Sequence, residues 1–247
     1  MTDLLTVLTF ESKDVPDVEG FRKYVAEVSS SFCPYIEPSA RKDSTAYTVI
    51  HSDTEDAVIA EKIVFASGYV LCELLRSTRS QSISELRPPL LCENVLFQFP
   101  SIKDSRGKEL LGWPHWVLKC RYTQLGILFG KFWKNAKERS KDGRNLPVPP
   151  CHFISVRESV RAKDPRFFEQ ADWLRPALES SNDIGQNVFD DLADYTDVAH
   201  TLKAFCDEPT QLNFTRITVT LAGNNFYTRA KELSAKELEE HKRRYVH

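Results

Sequence analysis

Two histidines with distinctive neighbours are the side chains of this chain best suited to hold a metal. His115 lies between Pro114 and Trp116, and a proline in the first turn of a helix would set the imidazole on a rigid element. A neutral imidazole coordinates a metal through one ring nitrogen while a partner orients the other. His152, which follows Cys151 and precedes an apolar segment, is the second candidate. For both histidines, simple local packing is the open alternative.

A set of basic residues in the second half of the chain is suited to bind an anion. These residues are Lys131, Arg139, Arg144, Arg157 and Arg161. A guanidinium pairs with a carboxylate or a phosphate through two parallel hydrogen bonds. The set therefore predicts either an anion site or a solvent-exposed loop with local salt bridges.

The cysteine spacing and the absence of the common catalytic motifs argue against several classes of enzyme. None of the six cysteines forms a Cys-x-x-Cys pair, so we expect reduced thiols and no zinc site. Cys33 as a nucleophile beside a distant histidine is a minor alternative, a hydrolase or transferase. The chain contains no phosphate-binding loop motif, no dinucleotide fingerprint, no H-E-x-x-H and no G-x-S-x-G.

Composition limits the partners and the compartment. The chain has 247 residues, 41% of them hydrophobic, and a formal net charge of -2, which predicts one globular domain over 1–247. That charge argues against a nucleic-acid partner. No apolar stretch approaches the ~18 residues of a membrane span, and the N-terminus lacks the features of a signal peptide. We therefore expect a cytoplasmic protein with no membrane partner and leave its oligomeric state open.

Alternating and helical periodicities predict the elements that must position these residues. Strands are expected over residues 4–10, 46–51, 90–99, 124–133, 151–158 and 213–221. Helices are expected from 17, over 53–79, from 114, from 164 and over 184–206, with a charged, solvent-exposed C-terminal helix over about 226–246. This alternation predicts a single α+β domain with an antiparallel or mixed sheet and helices packed on it.

Five short strings, taken in order, resemble a bacterial and fungal domain family of unknown function. They are 33–35 (CPY), 111–115 (LGWPH), 126–132 (GILFGKF), 144–145 (RN) and 154–157 (ISVR). The resemblance covers about residues 30–170. More distantly, the chain is similar to the YqcI/YcgG-like proteins, some of which are haem-dependent guanidine N-hydroxylases. It departs from the family at Trp133–Lys134 and Lys163–Asp164, where members often carry His-Pro and His-Asp.

This resemblance implies a haem b oxygenase that hydroxylates, or oxidises a nitrogen of, a small amino-acid-like or biosynthetic substrate. His115 would be the axial ligand, with His152 as second choice, and an electron-donor protein would be a partner. Arg144 and Arg157 would bind the haem propionates or a substrate carboxylate. The pocket walls would be Trp113, Trp116 and Phe132, with room for the macrocycle at Gly126 and Gly130.

The alternative function is non-catalytic. The same α+β domain would then bind a small molecule or a partner protein through its aromatic residues, without haem.

Overall fold

The structure is a computed structural model that describes residues 18–33, 35–36, 45–84, 92–140, 142–160, 164, 168, 171–192 and 226–245. The strands are β1 (Thr45–His51), β2 (Cys92–Gln98), β3 (Ile127–Phe132) and β4 (His152–Glu158). The helices are α1 (Val18–Ser31), α2 (Ala57–Ser84), α3 (Gly107–Leu110), α4 (Gly112–Tyr122), α5 (Arg175–Glu179) and α6 (Phe226–Tyr245). Short 3-10 helices cover Asp104–Arg106, Thr123–Leu125 and Asp172–Leu174.

The four strands form one mixed sheet in the order β1-β2-β4-β3. β1 runs parallel to β2, with Thr45 opposite Cys92. β4 is antiparallel to both of its neighbours, β2 and β3. Parallel strands need a long crossover, and α2 supplies it between β1 and β2. The prediction of an α+β domain with a mixed sheet and helices packed on it is confirmed.

Helix α1 covers one face of the sheet. Its apolar stripe, predicted from the spacing, includes the buried Phe21, Tyr24 and Val28. These side chains pack against Leu96 of β2 and Phe153 of β4. Edge-to-face contacts hold the rings together, with 5.1 Å between the centroids of Phe21 and Phe153. We call this side of the sheet the α1 face.

Helices α2 and α4 cover the opposite face, where the largest cluster of buried side chains lies. Ile154 and Val156 of β4 belong to that cluster, whereas Phe153 points to the α1 face, as the alternation of a strand requires. α2 begins after Asp56, whose Oδ1 accepts the N–H of Val58 at 2.7 Å, a typical N-cap contact. The broad apolar surface of α2 is buried, as its sequence predicts.

Two predicted helices need correction. Residues 184–192, predicted to be helical, form turns and bends, held by local contacts such as Asn187 Oδ1 accepting the N–H of Phe189. The C-terminal helix, predicted to be solvent-exposed, has a buried side that contains Tyr227, Ala230 and Ser234 and packs on α4.

Several other predicted elements cannot be compared. The strands over 4–10 and 213–221, the helical residues 193–206 and most of the helix from 164 lie outside the described residues. Within the described ranges, no helix is long and apolar enough to cross a membrane. The described cysteines, Cys33, Cys72, Cys92, Cys120 and Cys151, are free thiols.

Candidate functional site

His115 is a buried residue of α4 and its side chain contacts β3. It is 9% exposed, and its Nε2 lies 2.9 Å from the carbonyl oxygen of Phe129. A carbonyl only accepts hydrogen bonds, so Nε2 carries the proton and donates it. Burial lowers the pKa of His115 to about 3, with a further lowering from the nearby charges of Lys131 and Lys119 and only a partial offset from the hydrogen bond to Phe129. His115 is therefore a neutral residue that ties α4 to β3.

The space beside the two glycines that were expected to leave room for a flat macrocycle is occupied by other side chains. A Cβ on Gly130 would lie 2.8 Å from the ring of Phe132. Gly126 precedes β3 in a left-handed conformation with φ of 71°, and a Cβ there would lie 3.0 Å from Oγ of Ser181. These glycines therefore serve packing and a turn.

The three aromatic residues predicted to wall one pocket lie in three different places. Trp113 packs at the edge of the main core, with Nζ of Lys231 at 5.7 Å from its ring centre. Trp116 belongs to a separate cluster, where its ring meets Trp173 edge-on at 6.0 Å. Phe132 lies on the α1 face, stacked on a neighbouring ring of that face. They line no common space.

Arg157 extends from the end of β4 on the α1 face. Its guanidinium donates two hydrogen bonds to the buried carboxylate of Asp164, at 2.9 and 2.8 Å. Burial opposes its charge, but Asp164 keeps the pKa of Arg157 above its usual value. The same guanidinium lies 5.5 Å from the ring centre of Tyr35. The fork that was predicted to bind a propionate or substrate carboxylate is thus already paired within the protein.

Arg144 lies on the loop between β3 and β4 and is more accessible. Its side chain is 55% exposed, and its Nε donates to Oδ2 of Asp142 at 2.6 Å. Its guanidinium lies 4.6 Å from the ring centre of Phe32, at the end of α1. Elsewhere in the predicted basic set, Arg139 is exposed, whereas Arg161 lies outside the described residues.

Both ring nitrogens of His152 face protein groups. Nδ1 accepts the backbone N–H of Lys134 at 3.0 Å, and Nε2 lies 3.6 Å from Oδ1 of Asp104. Burial and the nearby Lys134 lower the pKa of His152, against the opposing charge of Asp104. His152 therefore connects the ends of β3 and β4 to the 3-10 helix before α3.

The residues predicted for haem do not fit around that group. His115 and Trp113 lie on the α2 and α4 side of the sheet, whereas Phe132 and Arg157 lie on the α1 face. Since the sheet separates them, no single macrocycle could contact both sets. Within the described ranges, no group of three or more His, Cys, Asp or Glu side chains could hold a metal ion.

A small cavity on the α1 face brings together other residues. It has about 20 Å³ of free space, room for roughly one water molecule. Its lining residues are Tyr24, Val25, Val28, Ile36, Cys92, Asn94, Phe132, Phe153 and Ser155. We call it the α1 cavity. Of the predicted site residues, only Phe132 lines it.

The polar side chains of the α1 cavity contact one another. Sγ of Cys92 lies 3.5 Å from Oγ of Ser155, and Nδ2 of Asn94 lies 3.8 Å from the same sulfur. All three side chains are buried. Burial also raises the pKa of Tyr24, so this ring stays neutral. The cavity therefore offers a mainly apolar, uncharged surface.

Both predicted arginines lie close to this cavity. Phe32 continues the last turn of α1, its N–H bonded to the Val28 carbonyl at 3.0 Å, so Phe32 lies one helical turn beyond the cavity wall, and Arg144 lies over its ring. Arg157 contacts Tyr35, next to Ile36 in the lining. Parts of the strings at 33–35, 126–132, 144–145 and 154–157 thus meet here, whereas the string at 111–115 lies across the sheet.

A second polar cluster was not predicted from the sequence. Arg76 of α2 donates to both carboxylate oxygens of Asp183, at 2.9 and 2.7 Å, and to Glu73 at 2.9 Å. Arg79 also pairs with Asp183, and the hydroxyl of Tyr122 donates to Glu73 at 2.6 Å. Although burial opposes it, Arg76 keeps the pKa of Asp183 below its usual range. The cluster is a clamp that fixes the 183–187 segment to α2.

Only part of that clamp leaves a signal in the sequence. Glu73 and Arg76 are three residues apart, a spacing typical of helical ion pairs. Asp183 is 107 residues from Arg76, and no periodicity connects them. The lining of the α1 cavity is equally hard to predict, since it combines α1 with three strands.

The comparisons with known proteins give no relative. No family model, no curated protein and no solved structure matches the chain. The resemblance based on the five strings therefore stays a prediction, and the function has to be inferred from the geometry.

Proposed function

We propose that this chain is a small-molecule-binding α+β domain that works without haem, with the α1 cavity as its binding site. The observation that carries the proposal is the cavity itself, an opening in the packing between α1 and the sheet. Protein interiors are otherwise close-packed, with few voids as large as a water molecule.

The lining decides what kind of ligand fits. The rings of Tyr24, Phe132 and Phe153 and the aliphatic Val25, Val28 and Ile36 form most of the wall, and ligand pockets are lined mainly by such side chains. The free space of about 20 Å³ holds roughly one water-sized group and is too small for a ring. We therefore expect a thin aliphatic part of the ligand to enter the cavity.

A neutral aliphatic probe tests this proposal. Hexan-1-ol is titrated into protein with labelled valine and isoleucine methyl groups, and chemical shifts are recorded by NMR. We expect the methyl signals of Val25, Val28 and Ile36 to move, while Ile154 on the opposite face stays in place. Binding that moves none of the three cavity methyls would contradict the proposal.

A matched pair of variants adds a control. Val28→Phe fills the cavity, whereas Val148→Phe adds the same ring at a side chain that is 49% exposed. We expect the probe to shift the remaining cavity methyls in Val148→Phe and not in Val28→Phe. Unchanged Ile154 shifts show that Val28→Phe is folded, which matters because overpacking a core costs about 1–3 kcal/mol. Equal binding by both variants would place the probe elsewhere.

A further inference from the structure

The charged groups near the α1 cavity indicate the class of its ligand. We propose that the ligand is a short linear aliphatic carboxylate, whose chain enters the α1 cavity and whose carboxylate binds Arg144. This inference rests on the proposed binding function and adds the chemical class and the anchoring residue.

The guanidinium of Arg144 has hydrogen-bond donors that a ligand could use. Its Nε is bonded to Asp142, but in the part of the chain that the structure describes its Nη1 and Nη2 donate no hydrogen bond. These two nitrogens can form charge-assisted hydrogen bonds to a carboxylate. Arg157, by contrast, has both terminal nitrogens paired with Asp164 and is not expected to bind the ligand.

The position of Arg144 is set by an aromatic contact. Its guanidinium lies over the ring of Phe32 at 4.6 Å, within the range of a cation–π interaction. Phe32 follows Val28 by one helical turn, and Val28 lines the cavity. One helical turn rises about 5.4 Å, so we expect a six-carbon acid to be long enough to reach from Val28 to Arg144.

The surrounding charge favours an anion over a cation. The segment 131–144 contains six basic residues and two acidic ones. Asp142 pairs with Arg144 and Asp104 with Lys134. The charges of Glu138 and Glu27 reach Tyr24 in the cavity wall. The six basic residues still leave the segment with a positive excess. A local excess of one sign attracts ligands of the opposite sign.

Three probes with the same six-carbon chain test the inference: hexanoate, hexan-1-ol and hexylamine. Their dissociation constants are measured at low salt from the shifts of the cavity methyl groups. Because Arg144 is more than half exposed, we expect a modest preference, with hexanoate binding about fivefold more tightly than hexan-1-ol. Hexylamine should bind more weakly than the alcohol.

Variants identify the residue responsible. Arg144→Ala should remove the preference for hexanoate while hexan-1-ol binds as before, and Arg139→Ala, on the same loop and exposed, should keep it. A preference that survives in Arg144→Ala, or equal binding of acid and alcohol to the wild-type protein, would overturn the carboxylate inference and leave the binding function intact. If none of the three probes moves the cavity methyls, both proposals are refuted.

Discussion

The burial of His115 predicts a specific dependence of stability on pH. Its pKa in the folded protein is about 3, whereas a histidine in an unfolded chain has a pKa of about 6.5. Between these values the unfolded state binds up to one proton more than the folded state. The free energy of unfolding therefore falls as the pH is lowered through this window, by up to about 1.4 kcal/mol per pH unit. Above about pH 6.5 the contribution is fully present.

The variant His115→Gln isolates this contribution. Glutamine can still donate to the Phe129 carbonyl but does not titrate. From pH 6 to pH 4 the wild-type protein should lose about 2–3 kcal/mol more unfolding free energy than the variant. The titration of His152 and of the carboxylates is common to both proteins, so the difference between them reports on His115.

Urea unfolding followed by circular dichroism at several pH values measures this difference. His51→Gln, at a ring that is 42% exposed, is the matched control for replacing a histidine by glutamine at a site that is not buried. If His115→Gln keeps the wild-type dependence, the account of His115 as a buried, neutral residue is refuted. A visible absorption band lost only in His115→Gln would instead support the haem ligand predicted from the sequence.

Three further predictions concern the packing at Gly107, the clamp at Asp183 and the binding of haem. Gly107→Ala should lower the melting temperature, because the added Cβ would overlap the ring of His152. The control Gly112→Ala, whose Cβ would meet open space, should be neutral or stabilise the protein by less than ~1 kcal/mol. Equal melting temperatures of the two variants would contradict this prediction. Asp183→Ala should cost about 1.5–3 kcal/mol in chemical unfolding, because Arg76 and Arg79 lose the carboxylate they share and keep Glu73 and Glu158 as ion-pair partners. The exposed Asp142→Ala should stay within about 0.5 kcal/mol, and similar losses in the two variants would show that the clamp is not stabilising. Purified protein incubated with haem b should show no intense absorption band at the blue edge of the visible range after gel filtration, and a retained band would contradict the proposal of a haem-free domain.

The sequence predicts the strands of the described sheet well because each has a compact apolar pattern. The predicted range 151–158 differs by one residue from the observed β4. β3 was predicted to begin at residue 124 but begins at Ile127, since Thr123–Leu125 forms a 3-10 helix and Gly126 turns the chain. A glycine in a turn and a glycine in a strand look alike in a sequence, which explains the misplaced boundary.

What the sequence does not predict is which elements become neighbours. The prediction that His115, Trp113 and Phe132 surround one ligand treated residues near in sequence as near in space. α4 and β3 are adjacent in the chain, but Phe132 projects to the α1 face while α4 packs on the other. The cavity depends instead on α1, whose position on the sheet is set by the packing of Phe21 and Tyr24 against Phe153.

The pairing of Arg144 and Arg157 with acidic residues was also not predictable from the sequence. Both are arginines in short strings of the resemblance, and the sequence predicts the same role for both. In the structure Asp164 neutralises Arg157 in a buried pair, so this pair stabilises the end of β4. Arg144 pairs with Asp142 through Nε and lies over the ring of Phe32, and within the described residues its terminal nitrogens donate no hydrogen bond. A guanidinium with spare donors is better suited to recognise an anion than a paired one, and we therefore expect the choice of ligand to depend on Arg144.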